Sequence, residues 1–230
     1  MIDMTIPGQM TEGELRGIEE LARRVPSGGS IVETGSLYGL SSYTWATSVE
    51  PSVTVYCIDP WIREPWIIQM VENQVPNCPR FSLRAFQHYT KSCTNIVPIV
   101  GYSPQDMSGW EEPVDLFFDD SMHHNPFFRR NLRFWLRKMR PGGIMCGHDY
   151  CSEWQDVIAE VDQLAREIGV DVHTRERLWW VELPKKLPGR LTQWTFAMRG
   201  LPSRVARSGV RIGTRSFVKC LTTIRIAANR

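Results

Sequence analysis

The sequence predicts an α/β protein: a doubly wound, mostly parallel sheet of seven strands with helices on both faces, followed by a basic C-terminal extension. Three observations predict it. Short β-branched runs alternate with stretches of helical periodicity through most of the chain. A glycine turn joins the first strand to the next helix. The second strand ends on an acid, Asp59, 20 residues beyond Gly39.

The elements follow in order. Thr11 and Glu14 form a capping-box pattern, and Leu15, Ile18, Leu21, Ala22 and Val25 then recur at helical spacing until Pro26. Residues 30–33 form a short strand, 41–49 the helix after the glycine turn, and 53–59 a β-branched strand, completing one β-α-β unit. Strands are expected over 95–101 and 114–120. A helix over 125–139 carries the stripe Phe128, Leu132, Trp135, Leu136 and Met139, and Pro141-Gly142-Gly143 stops it before a strand at 144–147. An amphipathic helix at 154–168 and strands at 170–175 and 178–183 complete the body.

At 230 residues and 42% hydrophobic composition, the chain suits one domain, or one domain with an appendage. No apolar run reaches the roughly 18 residues of a membrane span, and no basic-then-apolar leader opens the chain. Six cysteines without a Cys-x-x-Cys pair read as reduced thiols of a cytoplasmic protein rather than disulfides or a zinc site. The net charge of +2 conceals an asymmetry. Residues 1–184 hold 16 Lys/Arg against all 25 Asp/Glu, a balance of −9, whereas 185–230 hold 11 Lys/Arg and no acid. An acidic body, 1–184, and a basic extension, 185–230, with separate roles are therefore expected.

Two places concentrate chemistry. Glu33-Thr34-Gly35-Ser36-Leu37-Tyr38-Gly39 lies where strand one passes into its helix, and glycines there let a ligand approach the helix N-terminus. Two glycines four apart are equally consistent with a plain loop; the flanking strand and helix, with Asp59 placed to accept from ribose hydroxyls, favour a nucleotide-like cofactor. The nicotinamide pattern Gly-x-Gly-x-x-Gly is absent, and Glu33 suits a cationic or zwitterionic ligand better than a pyrophosphate. The second place is the pair of strand ends Asp119-Asp120-Ser121-Met122-His123-His124 and Gly147-His148-Asp149-Tyr150, which a parallel sheet brings to one edge. A histidine there can take a proton from an attacking hydroxyl. Asp120, His148 and Asp149 can also hold a divalent cation, Mg, Mn or a transition metal. Each residue alone is as consistent with a cap or a loop hydrogen bond; the four together point to chemistry. His124 is read as pointing elsewhere, and His88 and His173 as surface or structural residues.

Over residues 30–182 this order of motifs resembles the class I S-adenosylmethionine-dependent methyltransferases, with their Rossmann-like fold. Glu33 to Gly39 resembles their first motif, Asp59-Pro60-Trp61 the ribose-binding end of strand two, and Gly101 to Asp106 the loop flanking the adenine. Pro113 to Asp120 resembles strand four, and Pro141-Gly142-Gly143-Ile144 the turn before strand five. The resemblance implies S-adenosyl-L-methionine as cofactor, bound by Glu33, Gly35, Ser36, Gly39, Ser41, Asp59, Trp61, Ser103 and Asp120. Within the class, Asp120-x-x-His123 is similar to the methyltransferase-24-like branch, including macrocin-type sugar O-methyltransferases and cephalosporin-hydroxylase-like proteins. That likeness implies Asp120 as a metal ligand and His123 as the catalytic base. Metal-dependent members more often carry two acids where this chain has His148-Asp149. A hydroxylated small-molecule acceptor, a sugar or natural-product intermediate, is expected, with an RNA-modifying enzyme or a non-catalytic cofactor-binding relative as alternatives.

Residues 60–94 exceed a plain crossover and carry Trp61, Trp66, Phe81, Phe86 and Tyr89 between Pro60, Pro65, Pro76 and Pro79. A lid over the acceptor and a capping subdomain with core aromatics are equally expected. The extension repeats Arg204, Arg207, Arg211, Arg215 and Lys219 at helical spacing. Docking on the acidic body or on a second subunit of a homo-oligomer is favoured over contact with an anionic membrane surface, with nucleic acid least favoured.

Overall fold

The computed structural model describes residues 2–75 and 77–185; the extension beyond Lys185, with its arginine repeat and Cys220, and Pro76 lie outside the described residues. Seven strands form one sheet in the order β3-β2-β1-β4-β5-β7-β6. They are β1 (Ser30–Thr34), β2 (Thr54–Asp59), β3 (Ile96–Val100), β4 (Val114–Asp119), β5 (Met139–Gly147), β6 (His173–Arg175) and β7 (Leu178–Glu182). The first five run parallel, while β7 lies antiparallel to both β5 and β6.

Burial explains why the strands read as continuous apolar runs. Every residue of β1 and β4 is buried, as expected for central strands covered on both faces. Ile31, Leu116 and Phe118 pack with α1 (Glu12–Ala22), α2 (Leu40–Ser48) and the insertion on one face. Val32, Phe117 and Met145 pack on the other with two later helices, at Phe127–Leu136 and Gln155–Ile168. The helix starts follow local chemistry. Thr11 accepts from the Glu14 amide while Glu14 accepts from the Thr11 amide, so both halves of the capping box form.

The insertion folds as a short helix α3 (Pro65–Ile67) continuing into a π-helical turn (Ile68–Glu72), then α4 (Leu83–Thr90). In chain order the two later helices are α5 (Phe127–Leu136) and α6 (Gln155–Ile168). Trp61, Phe81 and Phe86 are core residues, whereas Trp66 is exposed along with Ile62 and Met70. The insertion thus serves the core with three of its aromatics and leaves one on the surface.

One expectation needs correcting. Pro141-Gly142-Gly143 does not end the helix. That helix stops at Leu136, and Met139 already pairs with Val114 as the first residue of β5. Ile144 pairs with Leu116, so residues 140–143 bulge out of the strand. Gly142, at φ +80°, supplies the left-handed residue this bulge requires. Pairing of Met139 outweighed the local turn signal. The sixth strand is also shorter than expected, because residues 170–172 run outside the sheet, and the seventh ends at Glu182 rather than Leu183.

Candidate functional site

The C-terminal ends of β1, β2, β4 and β5 meet at one edge, because these four strands are parallel and neighbouring. The turn after β1 is built tightly there. Gly35 has φ +85°, and a Cβ on it would run into the backbone carbonyl of Asp120. The Asp120 amide in turn donates to Thr34 O at 2.9 Å, stitching the turn to the end of β4. Gly39 caps α2.

The residues expected to hold a cofactor fall into two groups. Glu33 is fully buried; its Oε2 accepts from the Ser42 hydroxyl, while its Oε1 and the Ser36 hydroxyl are buried without a partner among the described residues. Burial raises the Glu33 pKa, the nearby hydroxyls of Ser41, Ser42 and Ser36 oppose the rise, and the charge of Asp120 adds to it. Asp59 is also buried. Burial pushes its pKa up to about 6, although the amides of Trp61 (2.6 Å) and Leu37 (3.1 Å) both donate to it. The orphaned Glu33 Oε1 and the buried Asp59 carboxylate, beside the glycine turn, fit a ligand that brings positive charge and hydroxyls. Trp61 and Ser103 form the second group, and both are occupied by protein. The Trp61 ring packs 4.9 Å from Phe86 and its Nε1 donates to Leu37 O. The Ser103 hydroxyl donates to Asn131 and accepts from Trp135 Nε1.

At the ends of β4 and β5, His123 Nε2 lies 3.4 Å from Asp149 and 3.7 Å from Asp120. Burial opposes a protonated His123, but Asp120, Asp149 and Asp119 outweigh it and hold its pKa above the ordinary value. Asp149 has φ +59°, the left-handed region that aspartate tolerates better than most residues. Asp120, His123 and Asp149 present one ligand atom each within 4.8 Å of one another, the donor chemistry of a divalent-cation site. His148 lies beside this trio. Its Nδ1 is 3.4 Å from Asp149 and 3.7 Å from Asp120, and its Nε2 is 3.1 Å from Glu14 Oε1. Burial works against its charge, yet the surrounding carboxylates push its pKa up to about 10. His124 turns away toward Asp156 and Trp154, and His88 and His173 are exposed.

Sequence reasoning missed three members. Glu14 reaches the edge from α1, where its carboxylate also accepts from the amides of Thr11 and Arg177. Arg177, on the β6–β7 turn, lies 3.5 Å from Asp149. Trp154 stacks obliquely 4.8 Å from His123. The capping box explains Glu14 locally and hides its second contact, and nothing near Arg177 or Trp154 marks them.

A seven-stranded sheet of this order, with a glycine turn after β1, an acid ending β2 and charged groups after β4 and β5, defines a class I S-adenosylmethionine-dependent methyltransferase. The comparisons identify the branch. The chain belongs to the methyltransferase-domain family Methyltransf_24, whose profile matches residues 32–150. No curated protein matches the chain. Solved structures share the fold at low identity. The O-methyltransferase TomG from Streptomyces achromogenes, involved in tomaymycin synthesis and solved with S-adenosylmethionine, superposes with a TM-score of 0.55 at 15% identity over 77% of this chain and 82% of its own. An O-methyltransferase from Bacillus cereus, in complex with S-adenosylhomocysteine, gives 0.55 at 14% over 78% and 84%. An rRNA methylase from Streptococcus thermophilus gives 0.52 at 13% over 79% and 100%.

Proposed function

We propose that the protein transfers the methyl group of S-adenosylmethionine to a hydroxyl of a small molecule, a sugar or natural-product intermediate. The observation that carries this reading is the placement of His123 between Asp120 and Asp149 on the strand edge that also bears the glycine cradle. S-adenosylmethionine supplies a methyl group made electrophilic by its sulfonium. Gly35 and Gly39 form the tight turn that faces it, Glu33, Ser36 and Ser41 offer polar atoms toward its charged end, and Asp59 offers a carboxylate to its ribose. His123 accepts the acceptor's proton at Nε2, and the two flanking carboxylates stabilise the imidazolium that results. A divalent cation, Mg or Mn, would be held by Asp120 and Asp149 with a ring nitrogen of His148, leaving His123 as the base, and would supply Lewis acidity toward the acceptor oxygen.

Isothermal calorimetry tests the reading first. Saturable binding of S-adenosylmethionine and S-adenosylhomocysteine is expected, and its absence would sink it. A second reading, methylation of RNA steered by the +11 extension, is favoured by that charge alone. RNA affinity falling steeply with salt would support it, and a flat or absent response would exclude it.

A further inference from the structure

A cleft of about 400 Å³ opens between the N-terminus of α1 and the β6–β7 turn, lined by Gln9, Thr11, Glu14, Glu176 and Arg177. That volume lies within the range of small-molecule sites, about 300–1,000 Å³. Two of its walls reach the reaction centre directly. Glu14 contacts His148, and Arg177 contacts Asp149. A buried nitrogen, His148 Nε2, backs the Glu14 wall without a well-aligned hydrogen bond among the described residues. Among the described residues, no aromatic or aliphatic side chain lines the cleft.

The charges of the lining are unequal in their compensation. Glu14 is answered by His148, and Arg177 by Asp149 and Glu153. Glu176 accepts from the Thr11 hydroxyl at 2.6 Å but makes no ion pair among the described residues, since neighbouring Arg175 is engaged by Glu20. Glu176 also holds a left-handed backbone, φ +55°, at the turn that brings its carboxylate back onto α1. Such a conformation is unfavourable for glutamate and persists where the surrounding structure enforces it.

We infer that this cleft is the acceptor site, and that it takes a hydroxyl-rich small molecule carrying a positively charged amino group. The inference rests on the methyltransferase reading above and narrows its substrate class. The carboxylate of Glu176, without an ion-pair partner among the described residues, meets the ammonium. Gln9 supplies partners for hydroxyls, and the polar walls give a flat, apolar phenol little surface to bury.

The test uses the full chain, free and saturated with S-adenosylhomocysteine, titrated with glucosamine, glucose and catechol while amide chemical shifts are followed. Glucosamine is expected to bind tightest and to move the amides of Thr11 and Arg177 first. Glu176→Gln is expected to weaken glucosamine about fivefold, leaving glucose and S-adenosylhomocysteine affinities unchanged. Catechol binding as tightly as glucosamine, an unaltered glucosamine affinity in the variant, or no response to glucosamine overturns the inference. Failure to bind S-adenosylhomocysteine instead overturns the methyltransferase reading, and the probe order on the free protein still judges the cleft.

Discussion

Replacing His148 by alanine tests the electrostatics of the reaction edge most directly. The side chain is 6% exposed and stands between Glu14, 2% exposed, and the carboxylates of Asp120 and Asp149. His148→Ala leaves three carboxylates facing a void, and loss of one partner from a buried ion pair costs about 3–5 kcal/mol. Elevation of the imidazole from its ordinary value near 6.5 to about 10 sets an upper figure of ~5 kcal/mol at 1.36 kcal/mol per unit. The hydrogen bonds that Glu14 keeps from Thr11 and Arg177 favour the lower end of the range. A loss of ~3 kcal/mol corresponds to a melting temperature lower by roughly 10 °C for a domain of this size. The sign with pH is fixed. Because the folded pKa is raised, the stabilisation is complete below about 6.5 and is lost as pH rises through about 10. Urea denaturation of both proteins in chelator at pH 6, 7.5 and 9 should therefore show a gap that is widest at pH 6 and narrows by pH 9. A gap below ~1 kcal/mol, or one that widens with pH, would falsify this account of the cluster.

Three further outcomes follow from the same geometry. His123→Ala should reduce turnover by about 10²–10⁴-fold with S-adenosylhomocysteine affinity intact, and the wild-type kcat/KM should rise with pH through a value above 6.5; a loss confined to KM would remove His123 as the base. Asp59→Ala should weaken S-adenosylhomocysteine by roughly 10–100-fold in calorimetry, the loss of one charged hydrogen-bonding group; an unchanged Kd would place the ribose elsewhere. Gly35→Ala should cost about 1–3 kcal/mol in denaturant, since φ +85° and the Asp120 carbonyl both resist a Cβ; a neutral substitution would contradict the tight turn.

Much of the architecture was legible because local and tertiary preferences agree. The Thr11–Glu14 box starts α1 as its residues require, and β1 and β4 are apolar because both faces are covered. Where the two disagree, tertiary pairing prevails: Pro141-Gly142-Gly143 reads as a stop but forms a bulge inside β5. At the site, spacing revealed Asp120, His123, His148 and Asp149 because they follow directly from strand ends. It could not reveal that Glu14, 134 positions before His148, closes the other side of the imidazole. Nor could it show that Trp61 and Ser103 spend their side chains on protein partners. Contacts between residues distant in sequence leave no periodic trace.

The acids at this edge also dictate how the cofactor should bind. Glu33 and Asp59 are buried with raised pKa values, so each is penalised for its charge in the free protein. A ligand bearing a sulfonium, an ammonium and ribose hydroxyls removes that penalty, since it favours the ionised form of both. Binding should therefore release protons wherever the free protein still holds them, near and below pH 6 for Asp59. By linkage, affinity for S-adenosylmethionine should fall as pH is lowered through about 6 and level off above 7. Calorimetry in buffers of different ionisation enthalpy reads the proton count directly. Release of a substantial fraction of a proton at pH 6 and almost none at pH 8 is expected, with S-adenosylhomocysteine, which lacks the sulfonium charge, releasing less if Glu33 takes part. Proton uptake at pH 6, or equal affinity at pH 5.5 and 8, would mean that the cofactor engages neither carboxylate in its charged form.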